Sequence, residues 1–332
     1  MRLAALLAIL AATIAAASCG GSNDTLTVYS GREEELVAPL FAMFTGETGI
    51  EVEVRYGDSA ELAATIAEEA ENSPADVFWA QDPGSLGAVE EHLDPLSDGI
   101  LGMVPEQFRD RDGRWVGTSG RVRVIVYSTE ALAEDEVPDS VFDLTDPRWQ
   151  GRIGIAPTNA SFQAFVTAMR LAEGDEKARQ WLLDLKANDP KTYEKNTPIV
   201  EAAAAGEIEL GLVNHYYLYL VKEEQPDAPI ANHFLEPDDP GGLVSVAGAG
   251  VLESTGDRST AERFVEFLLS PDAQRFYVDE AEEAEYPLVE GIAPKPGLPP
   301  LEDLAGLDID LTSFGAEHEA TIEMLRETGY LT

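Results

Sequence analysis

The chain has 332 residues, 62 of them acidic and 22 basic, for a net charge of −40. That balance excludes nucleic acid as a partner and leaves the polypeptide itself no attraction to an anionic membrane surface. A single cysteine, Cys19, excludes an internal disulfide and any cysteine-rich zinc or iron–sulfur centre.

Met1-Arg2 precedes an apolar run, Leu3 to Ala17, that is too short to span a bilayer and has the form of a signal peptide. It ends in Ala16-Ala17-Ser18-Cys19-Gly20, which resembles a bacterial lipobox. Residues 1–18 are therefore expected to be removed and Cys19 diacylated, with 19–23 as a tether. The roughly 310 residues that follow suffice for two lobes of ordinary size. Strand-like apolar runs alternate with amphipathic helical ones, the pattern of α/β sheets built from βαβ units. Leu26 to Tyr29 is predicted as the first strand, and Ser30 with Glu33 has capping-box spacing ahead of a helix carrying Leu36, Val37, Leu40, Phe41 and Phe44. Ile50 to Tyr56 alternates apolar and charged residues as a half-buried strand does, and Asp58 with Glu61 repeats the capping spacing. Further strands are predicted at Asp76 to Ala80, Val122 to Tyr127, Ile153 to Ala156 and Leu210 to Val213. Helices are expected after Thr197-Pro198, from Ser259 with Glu262, and from Ser270-Pro271.

Gly211-Leu212-Val213-Asn214-His215-Tyr216-Tyr217 carries the chemistry, because an apolar strand runs directly into an amide, an imidazole and two phenols. In open α/β sheets ligands bind beyond the carboxyl ends of strands. Adjacent tyrosines on a regular strand point to opposite faces, so both can meet one ligand only if the backbone leaves strand geometry at Asn214. Ionising a phenol at pH 7 costs about 4 kcal/mol, which a hard trivalent cation can offset.

Six segments resemble the bacterial ferric-ion-binding proteins of periplasmic iron uptake, in order and spacing. They are Thr27-Val28-Tyr29-Ser30-Gly31, Ser73-Pro74-Ala75-Asp76-Val77-Phe78, Thr118-Ser119-Gly120-Arg121-Val122-Arg123, Ile155-Ala156-Pro157-Thr158, Asn214-His215-Tyr216-Tyr217 and Glu285-Tyr286-Pro287-Leu288. The resemblance implies an α/β, two-lobed type II periplasmic binding protein, each lobe a mixed sheet flanked by helices, with the ligand in the cleft at the hinge. Lobe 1 would be residues 24–121 plus 246–298, and lobe 2 residues 122–245 plus 299–332, with the C-terminal helix packing across the second lobe. By the same resemblance Tyr216 and Tyr217 are the iron-ligating phenolates and Asn214 binds an accompanying anion.

Two positions depart from the family pattern, which has a histidine after the first strand and a glutamate after the Asp-Val-Phe strand. Here they read Glu33 and Gln81. Glu33 is a hard carboxylate able to ligate Fe(III), and its spacing equally suits a helix cap. Gln81 is a weaker ligand, able to orient the site or a water, while Asp82 beside it suits either the cleft or a cap on the helix after Pro83. Some relatives place a third tyrosine where this chain has Asn159. With few protein ligands, an anion, carbonate or phosphate, is expected to complete the coordination sphere. Its candidate binders are Arg121, Asn196 and the helix start Thr158-Asn159-Ala160-Ser161. Arg32 suits either a carbonate or solvent, and His92, His215, His233 and His318 are expected outside the ligand set.

The resemblance thus implies an exported lipoprotein, in the periplasm or on the outer face of the cytoplasmic membrane. It would be a monomer that captures Fe(III) or a ferric chelate, closes, and delivers it to an ABC permease and its ATPase, catalysing nothing. Protonation of the phenolates or the anion would favour release. The competing readings are the same fold binding an oxyanion, phosphonate or polyamine, and a surface-anchored enzyme. The second lacks a nucleophile elbow, a Walker loop, a His-Glu-x-x-His helix and a catalytic cysteine.

Overall fold

The computed structural model describes residues 25–279 and 284–331. The expected signal peptide, tether and Cys19 lie outside the described residues. Within them no helix is long and apolar enough to cross a membrane.

β1 (Thr25–Ser30) runs parallel to both β2 (Glu51–Tyr56) and β3 (Val77–Ala80), with α1 (Glu34–Thr48) and α2 (Ser59–Glu69) as the crossovers. β2 exposes its charged residues and half-buries Val52, Val54 and Tyr56, as its alternation predicts. Next come α3 (Pro83–Gly87), β4 (Leu93–Asp94), α4 (Asp98–Leu101) and β5 (Trp115–Ser128), a 14-residue strand buried along its length. β6 (Ile153–Ile155), α5 (Ala160–Glu173), α6 (Asp175–Ala187) and β7 (Lys191–Thr192) follow, then α7 (Asn196–Ala204), β8 (Leu210–Asn214), α8 (Tyr217–Glu224) and β9 (Ile230–His233). β10 (Val244–Leu252) returns to β3, ahead of α9 (Arg258–Leu268), α10 (Pro271–Asp279) and α11 (Phe314–Glu327).

The strands lie in the order β2-β1-β3-β10-β5-β8-β6-β7. β5 changes partners midway. Residues up to Val122 pair antiparallel with β10, whereas Arg123 to Tyr127 pair with β8 and Ile125 to Ser128 with β9. The long strand predicted only from Val122 onward therefore begins seven residues earlier, because Trp115 to Arg121 is equally buried and finds its own partner in β10. Two apolar cores form: the first runs across this change, taking in Val124, Val126, Ile199 and Val213, and the second packs around the β8 and β6 side. One stacks Phe41 on Phe264 with centroids 5.5 Å apart, and the other sets Phe165 edge-on to Trp181 at 5.4 Å. Such pairs contribute about 0.5–1.5 kcal/mol beyond their burial.

Asp58 caps α2 as its spacing predicts, accepting from the N–H groups of Ala60 and Glu61. Two other predicted caps are displaced. Ser30 is held in the β1 ladder opposite Tyr56 and its Oγ accepts from Arg32 N–H, so Glu33 stands at the start of α1 with no side-chain bond. α9 is capped by Asp257, which accepts from Thr260 N–H, leaving Ser259 inside the first turn.

α11 touches both sides of the molecule, so the segment 299–332 is not confined to the second lobe expected for it. On α5, Thr321 Oγ1 lies 2.8 Å from Thr167 Oγ1, and Glu317 accepts from Arg170 through both its carboxylate and its carbonyl. At the other end Gly315 meets α3 backbone to backbone. A Cβ there would stand 2.8 Å from Gly84 O and 3.1 Å from Ala88 N. Gly315→Ala is expected to destabilise the protein by about 1–3 kcal/mol, since backbone cannot yield as a side chain can. Urea denaturation checks this.

Candidate metal centre

β8 ends at Asn214, and at Tyr216 the backbone is already helical (φ −72°, ψ −23°), so α8 begins at Tyr217. That departure from strand geometry is what two phenols sharing a ligand require. The rings of Tyr216 and Tyr217 stand with centroids 4.3 Å apart and planes inclined by 32°. Tyr216 is buried and Tyr217 half-buried, and both face a cavity of about 200 Å³.

Arg123, the first residue of β5 to pair with β8, lines the same cavity and is buried. Its Nη1 donates to Ser161 Oγ (2.9 Å) and Asn214 Oδ1 (3.3 Å), and its Nη2 to the carbonyl of Leu212 (3.0 Å). Burial lowers its pKa to about 10, against the opposing pull of Tyr217 and Tyr216, so it remains a cation at neutral pH. A fixed guanidinium beside two phenols stabilises anionic oxygen there, whether it belongs to the protein or to a ligand.

The start of α5 completes this wall. Asn159 caps the helix, accepting from Ser161 N–H (3.0 Å) and Ser161 Oγ (2.6 Å), while Asn196 Nδ2 donates to Asn159 Oδ1 and Ser161 Oγ, each at 3.1 Å. Asn159, Ala160, Ser161 and Asn214 line the cavity, and Asn196 stands behind them, buried. Asn196 Oδ1 has no partner among the described residues. The arrangement directs a helix N-terminus and a guanidinium at one space, which suits an anion. Thr158 is exposed and absent from the lining.

Across the cavity, β3 runs into Gln81 and Asp82. Gln81 Oε1 is buried without a partner among the described residues. Asp82 does both things its position allows, capping α3 through Ser85 N–H at 2.8 Å while lining the cavity. Glu33 is exposed at the head of α1 and outside the lining.

Arg121 lines the cavity, but its guanidinium also donates to the carbonyl of Gln81 and pairs with Glu285 at 3.6 Å. Arg32 is buried rather than solvated, its two Nη atoms 3.1 and 2.8 Å from the Glu285 carboxylate. Burial opposes ionisation of Glu285, yet Arg32 and Arg121 together hold its pKa below the ordinary carboxylate value. The Glu-Tyr-Pro-Leu segment thus ties the end of β1 to the point where β5 changes partners. His215 meets Tyr216 edge-on, with centroids 5.8 Å apart, but lies outside the cavity lining, as expected of it. Its Nδ1 accepts from Val122 N–H (3.1 Å), which leaves Nε2 to donate to the carbonyl of Ala284 (3.0 Å), and burial lowers its pKa to about 4. His318 is exposed, as expected of a surface residue, and also lines the cavity from α11.

Sequence reading passed over Arg123, although a charged residue inside an apolar predicted strand is itself a signal, since buried arginine is rare without a partner. Among the described residues no group of three or more His, Cys, Asp and Glu is placed to hold a metal.

Residues 72–303 match the profile of a family described as bacterial extracellular solute-binding protein. The major ferric iron-binding protein of Neisseria meningitidis is 33% identical, with 97% of each chain covered. The Fe(3+)-binding periplasmic protein of Serratia marcescens is 30% identical over 95% of this chain and 93% of its own. Among solved structures, iron-bound HitA from Pseudomonas aeruginosa superposes with a TM-score of 0.83 at 34% identity, covering 92% of this chain and 99% of that one. The likeness shows the two-lobed α/β fold of type II periplasmic binding proteins. A chain matched in this way over nearly its whole length belongs to the bacterial extracellular solute-binding proteins, in the branch that holds the periplasmic ferric-iron-binding proteins.

Proposed function

We propose that this protein captures Fe(III) outside the cytoplasm through Tyr216 and Tyr217 and hands it to an ABC permease and its ATPase. The observation that carries the reading is the tilted phenol pair set against buried Arg123 in one cavity. Two phenolates need about 8 kcal/mol from whatever they bind at pH 7, which a trivalent ion supplies and a neutral or anionic solute does not. Carbonate or phosphate binds between Arg123, Asn214 and the start of α5, with Asn196 supporting Asn159 and Ser161. Gln81, with its free Oε1, faces the metal or a metal-bound water from the β3 side.

The lobes are residues 24–121 plus 246–298 and residues 122–245, with 299–332 packed against both; β5 and β10 join them, and they close over the ion by rotating about those strands. Lipidated Cys19 holds the monomer at the membrane, and the protein carries out no catalysis. A visible absorption titration with ferric citrate, with and without bicarbonate or phosphate, tests the reading. A phenolate-to-iron charge-transfer band is expected, and it should strengthen with the assisting anion. No band under any condition would overturn the proposal in favour of an oxyanion, phosphonate or polyamine ligand.

A further inference from the structure

His215 stands where three parts of the molecule meet. It is fully buried, follows β8 immediately and directly precedes Tyr216. Its backbone N–H donates to the carbonyl of Val122 (2.9 Å), and its Nδ1 accepts the N–H of the same residue (3.1 Å). Val122 is the last residue of β5 to pair with β10 before Arg123 turns to β8, so His215 grips β5 where the strand passes from one lobe to the other. The other ring nitrogen, Nε2, donates to the carbonyl of Ala284 (3.0 Å), and the ring lies against Tyr286 with centroids 5.0 Å apart. Tyr286 in turn exchanges two backbone hydrogen bonds of 2.8 Å with Gly120. Ala284 is buried at φ +47°, in the left-handed region that costs an L-residue free energy, and such strain persists only where surrounding contacts impose it. The bond from His215 is one of those contacts. A core histidine needs only partners for its polar atoms, and this one finds them across the lobe boundary.

We infer that His215 is a positioning residue, which ties the turn carrying Tyr216 and Tyr217 to the first lobe through Ala284, so that lobe rotation and phenol placement are one movement. The inference rests on the iron reading and adds to it the part that keeps the loaded site closed. Two amides separate the two ring bonds. His215→Asn puts an acceptor near the Nδ1 position and keeps Val122 but falls short of Ala284, whereas His215→Gln reaches Ala284 with an N–H donor and gives up Val122. Each variant loses one buried hydrogen bond, so urea denaturation should show similar losses of stability for the two. Release of iron to a competing chelator, from protein loaded with ferric ion and bicarbonate, should nevertheless be about tenfold faster in His215→Asn and close to wild type in His215→Gln, as for other supports behind metal ligands. Ala284→Gly leaves the site's side chains in place and frees the strained backbone, so it should speed release several-fold without loss of stability, and it decides the matter where a histidine variant does not fold. Equal release rates in the two histidine variants, or release at the wild-type rate in Ala284→Gly, would overturn the inference while leaving the iron site standing. Failure of the wild type to take up iron would overturn both.

Discussion

Tyr216→Phe and Tyr217→Phe should each weaken Fe(III) binding by at least about 100-fold, since even residues behind the ligands cost about 10–100-fold in metal sites. The double variant should show no charge-transfer band. Each change removes one oxygen and keeps the ring, so the tilted pairing of the two rings and the helical start of α8 survive. Unchanged far-ultraviolet circular dichroism would confirm this. The two losses will not simply multiply, because both oxygens serve one ion. Iron affinity within tenfold of wild type in the double variant would sink the assignment.

The second large effect lies away from the metal. Among the described residues Glu285 is a carboxylate shared by Arg32 and Arg121, all three side chains buried. Glu285→Gln keeps the shape but removes the buried carboxylate that both guanidiniums share, and breaking a buried pair in this way costs about 3–5 kcal/mol. Urea denaturation at pH 7 measures it, and a loss below about 1 kcal/mol would show the triad to be dispensable. The pH dependence has a fixed sign. Because the folded carboxyl titrates below the ordinary value, its stabilisation is complete above about pH 4.3 and is lost as pH falls toward the lower folded value. The wild type should therefore lose stability through that acid range, and the variant should show a flatter profile there.

Glu285 also shows why some of this protein was legible in sequence and some was not. The local record was clear wherever chemistry acts on neighbours. Alternation marked β2, Asp58 marked the head of α2, and the impossibility of two adjacent phenols sharing a face on a strand required the turn found at Tyr216. Caps failed where a residue had a competing partner, as Ser30 did in its ladder with β2. Glu33 shows the limit of carrying a position over from relatives, since here it stands exposed at the head of α1.

The sequence by itself determined the fold class, the tyrosine pair and the polar start of α5, because period, capping and chain direction are set by residues a few positions apart. Three-dimensional folding alone set Arg123 beside those tyrosines, let Arg32 and Arg121 share Glu285, at a separation of 253 positions from Arg32, and brought His318 on α11 to the cavity. Burial and charge pairing depend on which distant segments meet. That meeting is fixed by sheet order and by the change of partners within β5, neither of which leaves a mark in the spacing of residues along the chain.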